Sequence, residues 1–148
     1  MNDEIATLMN NEQLIIKSAY AIIKQKVVFL MKENLLIDKS IVFASRIVKL
    51  HQHLIKNKKE TIISKQIVRS GTSIGANISE ANYGQSKADF ISKMHIALKE
   101  TAETEYWIKL LHISEYINDK TSESLLSDCL EIKKILIASI NTAKENTK

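Results

Sequence analysis

Seven cations carry the densest chemistry in this sequence: Arg46, Lys49, Lys56, Lys58, Lys59, Lys65 and Arg69. Lysine and arginine at this density suit contacts to phosphate oxygens, and Lys65 and Arg69 stand one helical turn apart on one face. No aromatic residue is interleaved with them, so base stacking is not supported. RNA or DNA bound here would be held by its backbone, without sequence preference and with strong dependence on salt. A structural role competes for the same side chains. Lys56, Lys58 and Lys59 meet the negative pole of a helix end, worth about 0.3–1 kcal/mol each when exposed. Arg69 adjoins Ser70 and Gly71 and could pair with an acid on a neighbouring helix.

Other chemistries find less support. Glu100 and Glu103 share a helix face with Glu105 nearby, which raises general acid–base work, but Lys99, Lys109 and the basic segments offer salt-bridge partners. None of the four histidines follows a glutamate by three positions, as a di-iron bundle requires. His51 and His53 point apart, and His95 and His112 lie about 260° apart around a helix. There is no Gly-x-Ser-x-Gly elbow, and Cys129 sits on an apolar helix stripe. No catalytic residue, metal site or cofactor is expected, and the chain is not expected to be an enzyme.

The elements that must position these residues are helices. The 148 residues contain no proline and three glycines, so little breaks a helix and few tight β-turns can form. One cysteine makes no internal disulfide and fits a reducing, cytoplasmic setting. The early apolar run is interrupted by Lys17, Lys24 and Lys26, so no membrane span is expected. Charge is divided: Leu36 to Ser79 carries eight Lys/Arg against Asp38 and Glu60, and Glu80 to Glu131 carries ten acids against five lysines. Such halves can pair within a bundle or between subunits, or leave a basic surface free for a ligand.

Residues 1–33 read as an N-terminal extension, either an extra helix or a start-site artefact with Met31 as the true start, ahead of a bundle over 34–148. A first bundle helix is predicted from Asp38, as N-cap, to about Asn57, with Ile41, Ala44, Ile47, Val48, His51, Leu54 and Ile55 as its core stripe and Phe43 and Leu50 widening it. A second covers Thr61 to Asn82. Its small face holds Gly71, Gly75 and Ser79, and glycine in a helix costs about 1 kcal/mol unless close approach of another helix requires it. A phosphate loop is disfavoured, since GxxxxGK[ST] and a preceding strand are both missing. Gly84 is expected as a left-handed C-cap, and Ser86 with Asp89 as a capping box opening a third helix from Lys87 to about Ile117. A fourth runs from Thr121 or Ser122 to about Ala143, with Leu125, Cys129, Ile132, Leu136, Ile140 and Ala143 inward. The fold class is all-α, an up-down antiparallel four-helix bundle, and the surplus of apolar surface calls for a docked N-terminal helix or a subunit contact.

The segments KSIVFASRIVKL, SKQIVRSGTSIGANISEA and QSKADFISKMHIALKETAETEYWIKLL, with the leucine-rich last helix, resemble the four-helix-bundle family of 23S ribosomal RNA intervening-sequence proteins. The resemblance spans about Met31 to Ala143. It implies up-down bundles assembled into a homopentameric barrel. It extends to accessory proteins of diversity-generating retroelements, whose basic barrels are implied to bind nucleic acid and a protein partner, a reverse transcriptase. No catalytic residue comes with it. The expected function is a self-assembling, non-enzymatic bundle with a nucleic-acid surface, or else a structural or regulatory protein-interaction module.

Overall fold

A computed structural model describes the backbone of residues 2–145 and the side chains of Asn11 and residues 13–145. Four helices follow one another: α1 (Asn2–Lys58), α2 (Ile63–Ala81), α3 (Lys87–Ile113) and α4 (Asp119–Glu145). Each packs on its sequence neighbours and α4 closes on α1, with no diagonal pair in contact among the described residues. This is an up-down-up-down square of four helices, as predicted.

The first helix differs most from expectation. Asp38 begins nothing: α1 is continuous over 57 residues, about 85 Å at 1.5 Å per residue. No glycine or proline interrupts it, and Glu33 and Leu36 are already buried in the bundle upstream of Asp38. The N-terminal extension is therefore helical and shares one rod with the first bundle helix, so its boundary at residue 33 falls inside α1. The inward face of α1 is also rotated from the predicted stripe. Leu36, Ser40, Phe43, Ile47, Leu50 and Leu54 are buried, whereas Ile41 and Val48 point outward at 61% and 36% exposure. An apolar segment with two stripes about a quarter-turn apart cannot tell by periodicity which faces the core.

Elsewhere the core follows the sequence closely. Ile67, Ile74 and Ile78 of α2, Met94, Ala97, Ile108 and Leu111 of α3, and Leu125, Cys129, Ile132, Leu136 and Ile140 of α4 form one cluster. The glycines let α1 and α2 come close. A Cβ on Gly71 would lie 2.9 Å from Ile47 Cγ2, and one on Gly75 would lie 3.0 Å from Ser40 Oγ. Ser79 is exposed instead of packed. Each step of four residues advances about 40°, so the third member of the series has turned some 80° away from Gly71.

The turns use different residues from those expected. No glycine has positive φ; the left-handed residues are Lys59 (φ 55°) and Glu115 (φ 62°). Glu115 closes α3 by the Schellman pattern, with Tyr116 N–H donating to Leu111 O and Glu115 N–H to His112 O, and after Lys59 the Glu60 N–H donates back to Leu54 O in a wider turn. Gly84 is needed for space: a Cβ there would sit 3.0 Å from Ala81 O and 3.2 Å from Phe90 N. The Ser86 hydroxyl accepts from Asp89 N–H as predicted, and the Asp89 carboxylate returns to Gln85 N–H. The third helix stops at Ile113, four residues early, because Glu115 reverses the chain. Asn118 Oδ1 then accepts from Thr121 N–H and opens α4.

Candidate nucleic-acid interface

The end of the bundle where α1 hands over to α2, and α3 to α4, gathers most of the predicted cations. Along α1, Arg46, Lys49 and His53 fall at i, i+3 and i+7, a spacing that aligns them on one side. Together with Lys58 they form one wall of a cleft of about 890 Å³; His112, Tyr116 and Asp119 stand on the other. Lys56 lies in the last turn of α1, Lys59 in the connection, and Lys65 in the first turn of α2.

The seven cations separate into two kinds. Arg46 bonds to Asp128 and, at 2.8 Å, to Ser124 Oγ of α4. Arg69 donates to Glu103 of α3 at 2.5 Å, the acid that also accepts from Trp107 Nε1. These arginines join the basic helices α1 and α2 to acids of α4 and α3, as Lys39–Glu131 joins α1 to α4; Lys93–Glu80 and Lys133–Glu105 add further links between neighbouring helices. The charge division in the sequence thus partly cancels inside the bundle. By contrast, no acid lies within salt-bridge distance of Lys49, Lys56, Lys58, Lys59 or Lys65 among the described residues, and all five are exposed.

Glu60 explains part of that imbalance. It is the single acid between Lys56 and Lys65, yet it is turned inward at 7% exposure. Its carboxylate accepts from the N–H groups of Ile62, Ile63 and Ser64 at 2.7–2.8 Å, the open first turn of α2. Burial alone would raise its pKa, but these three donors together hold it below the usual carboxylate value. Its charge is spent on the helix start, and the lysines around it keep theirs. Glu60 was not singled out in the sequence. The signal was present as an acid three residues before the first N–H groups of α2.

The remaining candidates resolve into structural contacts. Glu105 is bridged by Lys109 at 2.6 Å and Lys133 at 2.5 Å, and their hydrogen bonds lower its pKa. Glu100 is raised by desolvation and then by the charge of Glu103. His51 Nδ1 lies 3.0 Å from Ser64 O, and His112 pairs with Asp119. His53 and His112 line the same cleft, a meeting of two helices that their spacing in the sequence could not reveal. Burial pushes the Cys129 thiol up to about 12, which keeps it protonated and a poor nucleophile. Among the described residues, no three His, Cys, Asp or Glu side chains group as metal ligands, and no helix is long and apolar enough to cross a membrane.

The 23S rRNA-intervening sequence protein family matches residues 32–138, the part of the chain that forms the bundle. A crystal structure of a protein of unknown function from the S23 ribosomal protein family of Bacteroides thetaiotaomicron VPI-5482 is similar at 55% identity. Its TM-score is 0.74, and the match covers 74% of this chain and 98% of that one. No curated protein matches the chain.

Proposed function

The chain belongs to the 23S rRNA-intervening sequence protein family, and on that premise we propose that it is a non-catalytic, self-assembling bundle whose lysine-rich end holds RNA or DNA by the phosphate backbone. The observation that carries this reading is the group of five exposed lysines, Lys49, Lys56, Lys58, Lys59 and Lys65, at one end of the bundle, with no ion-pair partner among the described residues. The proposed assembly is a homopentamer in the cytoplasm. Five copies would repeat the lysine end around one axis and multiply weak phosphate contacts.

Fluorescence anisotropy with labelled mixed-sequence RNA and DNA tests the reading. Wild-type protein is expected to bind both at low salt and to lose about 0.7–0.9 log units of affinity per log unit of salt for each phosphate contacted. The triple reversal Lys58→Glu, Lys59→Glu and Lys65→Glu should abolish binding and leave the oligomer intact. Absence of binding at low salt, or binding unchanged in the triple variant, would remove the nucleic-acid role.

A second reading is a structural or regulatory interaction module, favoured by the ion pairs that engage Arg46 and Arg69. It predicts that the same triple reversal changes the mass of the assembly in native mass spectrometry and not nucleic-acid affinity.

A further inference from the structure

The outward side of α1 has an order of its own. Ile16, Ile23, Leu30, Ile37 and Ala44 recur every seven residues, and Tyr20, Val27, Asn34, Ile41 and Val48 recur every seven residues four places later. This alternating four-three spacing over 33 residues is a heptad seam, with the first set at d and the second at a. It is distinct from the core face, because Leu36, Phe43 and Leu50 lie between its members and are buried by the other helices. Apart from Ile37 and Ala44, which are half-buried, Ile37 against the bundle core, the seam is open. Ile16, Tyr20, Ile23, Val27, Leu30, Ile41 and Val48 are between 36% and 68% exposed.

We propose that α1 packs along this seam against α1 of neighbouring copies of the chain, parallel and in register about the axis of the assembly, as a coiled coil. Four observations point to this occupant. A period of 3.5 drifts about 20° per heptad on a straight helix, so a strict repeat is useful only to helices that supercoil together. Val27, Ile41 and Val48 at a, with Ile and Leu at most d positions, is the side-chain choice of such a seam. Asn34 is the one polar residue in the seam from Ile16 to Val48, and it sits at an a position, where a single asparagine fixes register by meeting its own counterpart. The seven large exposed side chains offer about 700 Å² per copy, with a fully exposed side chain taken at roughly 150–220 Å², close to the ~800 Å² per partner of a standard stable interface.

The inference rests on the self-assembly half of the proposed function and deepens it. Copies related by a rotation axis that runs along α1 hold it parallel and in register, the arrangement that lets Asn34 meet Asn34, whereas an axis perpendicular to α1 would make the helices antiparallel. It also gives the first half of α1 a reason to be helical. A segment rich in Ile and Val whose side chains from Gln13 to Val28 are all exposed draws little stability from propensity alone. Lys26 lies within the apolar arc formed by Ile15, Ala19, Ile22 and Leu30, which suits a helix pair with charged flanks better than insertion into lipid.

Two full-length variants test it. Asn34→Cys is expected to give a covalent dimer under mild oxidation that dithiothreitol reverses, and buried Cys129 does not compete. Ile23→Asp with Val27→Asp alters side chains outside the core, so the four-helix bundle should stay folded while the association constant falls at least 100-fold in analytical ultracentrifugation. If wild type assembles but Asn34→Cys does not cross-link, or the double variant keeps the wild-type mass, the seam is refuted and self-assembly stands. If wild type is a monomer at micromolar concentration, whether free or bound to anionic vesicles through α1, both fall.

Discussion

Replacing Gly71 with alanine sets two effects of known size against each other. An alanine in a helix interior gains about 1 kcal/mol over glycine from backbone entropy. Against this, the new methyl would lie 2.9, 3.0 and 3.2 Å from Cγ2, Cγ1 and Cβ of Ile47. Ile47 is fully buried, and a rotamer change cannot move its Cβ, so α1 and α2 must separate or Ile47 must leave its well. Overpacking of this kind costs about 1–3 kcal/mol, and contact with a branched carbon puts it in the upper part of that range. The net expectation is a loss of about 1–2 kcal/mol, roughly 3–8 °C in Tm for a chain of this length. Urea denaturation followed by circular dichroism, at one fixed protein concentration, measures it. A double-mutant cycle isolates the cause. Ile47→Ala alone should cost about 2–5 kcal/mol, and at least about 1 kcal/mol less in the Gly71→Ala background, because the clash is then relieved. Gly75→Ala serves as the contrast: it meets the rotatable Ser40 hydroxyl, so its change should stay within about 0.5 kcal/mol of zero. A Gly71→Ala variant more stable than wild type would refute the close-contact reasoning.

The buried carboxyls at the two ends of the bundle have opposite pH behaviour. Glu33 is 9% exposed, its Oε1 has no hydrogen-bond partner among the described residues, and burial pushes its carboxyl from 4.5 up to about 7. Its cavity of about 490 Å³ has Lys87 of α3 as the other charged residue on the wall. Between pH 4.5 and 7 the folded chain keeps a proton that the unfolded chain has released, so stability falls as pH rises, by about 3 kcal/mol across the window. Glu33→Gln should flatten that slope in denaturation midpoints taken from pH 5 to 8; parallel curves for the two proteins would overturn the assignment. Glu60 has its pKa lowered, so its contribution is present above the unfolded pKa and lost as pH falls through the folded one. Glu60→Ala leaves three N–H groups of α2 without their acceptor and should cost about 1–3 kcal/mol at pH 7, with amide exchange in the first turn of α2 accelerated. An unchanged midpoint would show that water replaces the carboxylate at no cost.

The sequence by itself determined that this chain is helical, which stripe of α4 turns inward, and that Gly71 and Gly75 sit under a neighbouring helix. Those properties are local or periodic: absence of proline, a 3.6-residue repeat, and a glycine cost that only close packing offsets. The Ser86 and Asp89 start of α3 was equally legible, since a cap is made within four residues. Left-handed turns at Lys59 and Glu115 were not, because nothing in a lysine or glutamate marks such a turn. Only the tertiary structure decided which stripe of α1 is core, for α1 carries two and the choice depends on where α2 and α4 lie. It also decided which cations are free. Arg46 and Arg69 look like the surrounding lysines in sequence, and acids 82 and 34 residues away neutralise them, while Glu60 turns from the surface to the start of α2. Periodicity reports that a face exists; what covers that face, or neutralises a charge on it, belongs to residues far along the chain.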